Sequence, residues 1–336
     1  MTEWKQLDVD VNSLWLINER DNSGKHRNVY HGNFIPQIPN QLIKRYTKEN
    51  EVVLDIFLGS GTTLYECEKL NRKFIGTDIN QEIIDYVKKQ MLNTDFNNFV
   101  ICNCDVTDSN STKEIVSSSL RRLDENKVHF IIMHPPYMDV VKFTDNQNDL
   151  SQIGNLNLFI DTFIKVCNNT LTYLAKKRYF ALVIGDVYKK QEVIPLAFYL
   201  MYAIKRHFKV KLKGIIIKNI ESIVRTSFEY QEFRSYLVNE MNMSTCAYLE
   251  GLSSVDSNRI KIELHHTPFT LYDIVEIVVN KHKIEKGVIY PIDIAEEVME
   301  LHFRGIVGLI PLATTVHELV HSGVVFVPLN FVFGNF

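Results

Sequence analysis

Short runs rich in apolar residues recur through the first two-thirds of the chain, at Val52–Ile56, Lys73–Thr77, Phe99–Asn103, His129–Met133, Tyr179–Ile184 and Lys211–Ile217. Short runs of this kind read as strands buried on both faces. The segments between most of them carry helical spacing of apolar positions. Strands alternating with helices predict a parallel sheet covered on both sides. From about Thr226 the alternation is lost, which puts a boundary at Ser222–Tyr230 and divides the chain into domains 1–225 and 226–336. No internal repeat or low-complexity stretch interrupts the pattern.

Composition adds loose bounds. With 336 residues and 46% hydrophobic content, the chain is long enough for two cores. No apolar stretch reaches membrane-spanning length and no charged leader precedes an apolar run, so a soluble, cytoplasmic protein is expected. Cys67, Cys102, Cys104, Cys167 and Cys246 have neither metal-ribbon nor disulfide spacing and read as small buried hydrophobes.

The net charge of −3 hides an uneven distribution. Between Thr170 and Arg225 there are twelve Lys and Arg against three Asp and Glu; from Thr226 onward there are seven against fourteen. Lys176, Lys177, Arg178, Lys189, Lys190, Lys205, Arg206, Lys209, Lys211 and Lys213 form the basic belt. It reads either as a phosphate-tracking surface or as an ordinary solvated face.

Candidate chemistry begins at LDIFLGSGTT, Leu54 to Thr63. Gly59 and Gly61 flank Ser60 in a turn after a strand, where missing side chains let backbone approach a ligand and the next helix presents free N–H groups. Asp78 ends the second strand about twenty residues on, the position from which a carboxylate meets ribose hydroxyls. The second signal is IIMHPPY, Ile131 to Tyr137.

Together these motifs resemble the amino-directed DNA methyltransferases, acting at N6 of adenine or N4 of cytosine. The resemblance covers about Tyr30 to Glu221 and implies a Rossmann-like α/β domain that binds S-adenosylmethionine and acts on double-stranded DNA. Under it, His31, Asn33 and Phe34 of HGNFIP, with Asp55 and Phe57, surround the methionine part. Gly59, Ser60, Gly61 and Thr62 form the turn, Asp78 meets the ribose, and Asp105 meets the adenine amino group. His134, Pro135, Pro136 and Tyr137 are the catalytic tetrad. The Pro135 carbonyl and the first side chain accept the two amine hydrogens, and Tyr137 stacks on a flipped base. Here the first position is His134, where relatives carry Asp, Asn or Ser, and imidazole accepts only while neutral. Asp186 and Tyr188 are placed at the target pocket. The family's closing antiparallel hairpin strand is not evident before the charge reverses.

The tail carries IELHHTP, Ile262 to Pro268, and GLIPLATTVHELVHSG, Gly308 to Gly323. A His-His pair leaving a strand, followed by two histidines four apart, resembles HNH nucleases and implies a small α+β (ββα-metal) domain. His265, His317 and His321 become ligands of a divalent metal, zinc or magnesium, and His266 the general base. An insert of fifty residues and the absence of bracing cysteines depart from that family. HELVH also matches the zinc-protease helix, with Glu318 as base.

The expectation is therefore a DNA methyltransferase of a restriction-modification or phage system joined to an HNH-like domain. The rivals are a metal-dependent HNH endonuclease and a non-catalytic DNA-binding module with a degenerate methyltransferase fold.

Overall fold

The computed structural model describes residues 9–11, 13–17, 20–27, 32–189, 192–218, 224–225, 227–249, 251–254, 261–287 and 289–335. The chain divides into two compact units. One holds Met1–Asp10 and Glu19–Lys213, the other Val11–Asn18 and Gly214–Phe336. The division thus falls before the expected Ser222–Tyr230 boundary, and a short N-terminal stretch with β1 (Leu14–Trp15) joins the second unit.

The first unit is built on β2 (Val52–Asp55), β3 (Lys73–Asp78), β4 (Phe99–Asn103), β5 (Val128–Met133) and β6 (Leu174–Leu182). They form one sheet in the order β4-β3-β2-β5-β6, every pair parallel. Parallel neighbours require crossovers. These contain α2 (Thr62–Lys69), α3 (Gln81–Gln90), α4 (Ser109–Arg122) and α5 (Leu156–Leu171), while α1 (Gln37–Tyr46) precedes the sheet and α6 (Leu196–His207) follows it. Several helix starts are written in the sequence. Asn80 caps α3 by accepting from the Glu82 and Ile83 amides, and Asp108 and Asn155 cap α4 and α5 in the same manner.

Because both faces are covered, the central strands are apolar throughout. Leu54, Ile75, Ile131, Met133, Phe159 and Phe163 lie fully buried in one core. The chain builds outward from β2 to β4, then returns to place β5 on the other side of β2. The loops after β2 and β5 therefore diverge, and a crevice opens at the carboxyl ends of the strands where ligands bind in open α/β sheets.

One expected strand does not form. Residues 209–216 are outside any strand, and only β9 (Ile217–Lys218) pairs, in parallel with β1. Leu212 and Ile215 are exposed. Alternation can suggest a strand, but a strand needs a neighbour to take its hydrogen bonds. Among the described residues the main sheet has five strands, without an antiparallel closing hairpin; β7 (Val187–Lys189) and β8 (Glu192–Ile194) pair with each other alone.

The second unit packs α7 (Phe228–Asn239), α8 (Leu271–Glu285) and α9 (Pro291–Phe303) around Tyr230, Phe233, Leu237, Val275, Val279, Val298 and Met299. Its antiparallel pair is β10 (Ile262–His266) with β11 (Leu309–Ala313), followed by α10 (Thr314–His321), which packs on both strands. The long insert between the two histidine motifs is thus the helix pair α8–α9. Among the described residues no helix is long and apolar enough to cross a membrane.

Candidate functional site

The turn after β2 is held by the end of β3. The Gly59 amide donates to Asp78 Oδ2 at 2.9 Å, and the Leu58 amide to the Thr77 carbonyl at 2.9 Å. Gly59 and Gly61 have φ of 50° and 88°, in the left-handed region that glycine occupies without a Cβ penalty. At Gly61 a Cβ would also sit 3.0 Å from Val87 Cγ1 and 3.1 Å from the Tyr65 ring. Gly61 is the N-cap of α2, so the helix opens directly from the turn, with Ser60 and Thr62 buried beside it.

Two carboxyl groups are enclosed here. Asp55 accepts from Thr63 Oγ1 at 2.5 Å and from the Phe57 amide at 3.1 Å. Burial pushes its pKa up to about 7, against the pull of those two donors. Burial likewise raises Asp78 to about 6, although the Asn80 and Gly59 amides favour its charge. Among the described residues neither group has a cation beside it; a bound ammonium or hydroxyl pair would favour the charged forms. Asp105, at the end of β4, accepts from Thr107 through one oxygen and from Asn148 Nδ2 through the other, at 2.8 Å.

HPPY leaves β5 toward the same crevice. His134 has its ring edge-on to Phe34, with centroids 4.8 Å apart, and its Nε2 lies 3.3 Å from the Tyr137 hydroxyl. The Gly185 amide sits at that hydroxyl, and the tautomer of His134 sets which partner donates across the 3.3 Å contact. Gly185 also lies flush against the Tyr137 ring, where a Cβ would meet Cε2 at 3.2 Å. Desolvation pushes the His134 pKa down to about 4, so the ring is neutral across the physiological range. Pro135 is buried and Pro136 half-buried.

Phe34 links the HGNFIP segment to His134; His31 of that segment lies outside the described residues. Next to it stands Arg20, whose side chain the sequence pattern gave no reason to single out. Its Nη1 approaches the Asn33 and Phe34 carbonyls at 3.4 and 3.3 Å, while its Nε and Nη2 and the Asn33 Nδ2 are buried without hydrogen-bond partners. Buried donors left unpaired are costly, and three of them together suit an anionic ligand group such as an amino-acid carboxylate. The side chains present therefore fit S-adenosylmethionine, whose methionine part offers both an ammonium and a carboxylate.

The basic belt is divided by its own ion pairs. Arg178 pairs with Glu51, and Lys189 with Asp139 at 2.7 Å. Lys205, Arg206, Lys209, Lys211 and Lys213 are exposed, and Lys190 is outside the described residues. Tyr188 is 71% exposed on β7, and Asp186 accepts from the Ala197 amide.

In the second unit the two-residue period of β10 separates the histidine pair. His265 turns toward α10, where the rings of His265, His317 and His321 stand nearly perpendicular to one another, with centroids 4.5–5.0 Å apart. Their ligand nitrogens all lie within 4.8 Å. Glu263, two residues before His265 on the same strand face, has its Oε2 2.9 Å from His317 Nδ1. That i, i+2 spacing is readable in IELHH, although the sequence reading passed over Glu263.

His266 does not join the cluster. It is buried on the opposite face with its Nε2 3.0 Å from His302 Nε2, beside the Tyr230 ring. His302 Nδ1 donates to the Val298 carbonyl at 2.7 Å. Its Nε2 is then the acceptor, and His266 donates to it. The ring expected as general base is thus buried away from the cluster, and burial holds its pKa well below the usual imidazole value. Glu318 is exposed.

Residues 2–89 match the DNA methylase family, and residues 185–336 match the family described as Bacteriophage G278-like virion protein. Type II methyltransferase M.HpaI of Haemophilus parainfluenzae is 44% identical over 59 residues, 18% of each chain. Type II methyltransferase M.MjaII of Methanocaldococcus jannaschii is 33% identical over 85 residues, 23% of this chain and 16% of that one. Among solved structures, TrmN from Thermus thermophilus aligns with a TM-score of 0.33 at 16% identity, covering 47% of this chain and 44% of that one. The chain spans less than a fifth of the length of the two curated relatives.

The buried carboxyl beside the turn sets a pH test. A folded-state pKa raised to about 7, from about 3.9 unfolded, means that stability is full below the unfolded value and is lost as pH rises through the folded one. Asp55→Asn removes this term. Urea unfolding at several pH values should show the variant gaining on the parent between about pH 4 and pH 7, with a constant difference above. A difference independent of pH would show that Asp55 is not protonated in the folded chain.

Proposed function

We propose that the first unit is an S-adenosylmethionine-dependent methyltransferase acting on an exocyclic amine of cytosine or adenine in double-stranded DNA. The observation that carries the reading is the meeting of the glycine turn, with Asp78 on its Gly59 amide, and the HPPY segment at the carboxyl ends of adjacent strands. The partial matches to DNA methylases over the first quarter of the chain support it, and the bacteriophage match of the remainder favours a phage-borne setting.

In this reading Asp78 meets the ribose, Asp105 the adenine, Asp55 the ammonium, and Arg20 with Asn33 the carboxylate. The bound donor supplies an electrophilic methyl on sulfur. An exocyclic amine is a weak nucleophile because its lone pair is conjugated into the ring. The Pro135 carbonyl and neutral His134 accept its two hydrogens, draw the lone pair out of conjugation and hold the nitrogen in line. Tyr137, braced by Gly185, stacks on the flipped base. The proton that the methylated amine would have to lose would pass to His134 or to water.

For the second unit we propose an HNH-like hairpin-and-helix module that holds a divalent metal. Phosphodiester cleavage through His266 is not part of the proposal, because that ring is committed to His302.

Single-turnover methylation of DNA from about pH 5.5 to 8.5 tests the role of His134. With its pKa at about 4, the ring is an acceptor over that entire range. The parent and His134→Asn should therefore share the same acid side, and His134→Ala should lose at least roughly tenfold in rate, the scale of one lost hydrogen bond, while keeping cofactor affinity. An acid limb present in the parent and absent from His134→Asn would contradict a neutral His134, and full activity in His134→Ala would remove it from the site.

Neutralising Lys209, Lys211 and Lys213 together should weaken DNA binding across all sequences and flatten the salt dependence by about 0.9 per lost phosphate contact. Fluorescence anisotropy at several salt concentrations reads the slope. An unchanged slope makes this stretch an ordinary solvated surface.

A further inference from the structure

The geometry points to a mononuclear zinc site formed by His265, His317 and His321, with Glu263 as the positioning residue that fixes the tautomer of His317. The inference deepens the metal-holding reading of the second unit and is independent of methyl transfer.

Two elements converge on the site. His265 comes from β10, and His317 and His321 come from one face of α10, spaced by four residues so that their side chains stand one turn apart. The ligand nitrogens lie within 4.8 Å of one another. Around a tetrahedral zinc with Zn–N of about 2.1 Å the same atoms would be roughly 3.4 Å apart.

Glu263 decides which nitrogen of His317 faces the metal. Its Oε2 lies 2.9 Å from Nδ1, placed to take a proton carried there, and its Oε1 pairs with Lys261 Nζ at 2.9 Å. With Nδ1 carrying the proton, Nε2 offers its lone pair to the cluster. A carboxylate that orients a ligating imidazole and raises its basicity is the usual support around such sites. Glu263 and His265 share a face of β10 because they are two residues apart; the same periodicity sends His266 into the helical core.

The donor set selects the ion. Three imidazole nitrogens suit zinc and its transition-metal neighbours, whereas magnesium and calcium require oxygen ligands. Three protein ligands also leave one tetrahedral position. His321 is exposed and His317 half-buried, so that position faces solvent and takes a water or an oxygen from an incoming ligand.

The test uses the full chain with neither DNA nor methyl donor, so its failure leaves the methyltransferase reading untouched. Zinc is titrated against a competing chelator, and bound metal is counted by elemental analysis after dialysis. One zinc per chain is expected, with none held in magnesium alone. His321→Ala, at an exposed position that tolerates substitution, should fall to background while its circular dichroism matches the parent. Glu263→Gln should retain the site with affinity about 10- to 100-fold lower, and His266→Ala should bind as the parent does. Cobalt in place of zinc should give the intense visible bands of a tetrahedral ion, lost in His321→Ala. No stoichiometric zinc in the parent would overturn both the site and the metal-holding reading. Unchanged affinity in His321→Ala would overturn the ligand set alone, and unchanged affinity in Glu263→Gln would remove the positioning role.

Discussion

The bond from the Gly59 amide to the Asp78 carboxylate is the constraint on which the first unit's site depends. It ties the turn after β2 to the end of β3 and thereby fixes both the start of α2 and the mouth of the crevice. The same carboxylate is the group expected to meet a ribose, so one side chain both builds the cradle and faces its contents. Its burial is unfavourable, as is that of Asp55 beside it, and the raised pKa values of both express that cost. Arg20 and Asn33 add buried donors that find no partner among the described residues.

In the second unit the sorting device is the two-residue period of a strand. Adjacent histidines on β10 leave by opposite faces, one into a cluster with α10 and the other into a hydrogen bond in the helical core. The helix pair α8–α9 separates β10 from β11 in sequence without separating them in space. The hairpin and the helix after it therefore pack together despite the long insertion, while His266 is turned away from them.

The sequence was most legible where burial is complete on both sides. VVLD, FIGTD and FVICN read as strands because every residue must suit an apolar layer, and each forms within a residue or two of its expected limits. Lys211–Ile217 misled because alternating lysines and aliphatics mimic a strand face, whereas pairing depends on a neighbour that local pattern cannot supply. The three clustered histidines were readable from an i, i+4 spacing and a strand-borne partner. The fate of His266 was not, because it is decided by His302, more than thirty residues away on a helix whose pattern carries no sign of it. Arg20 was equally silent, since its meaning lies in two carbonyls it reaches only after folding.

Calorimetric titration of S-adenosylmethionine into the purified chain, with the Gly59→Asp variant in parallel, tests the central claim most directly. The variant places a side chain at a left-handed backbone position and a second carboxylate against Asp78. The account predicts saturable one-to-one binding by the parent and none by a variant that retains the parent's circular dichroism. Absence of binding by the parent, or equal affinity in the two, would contradict it.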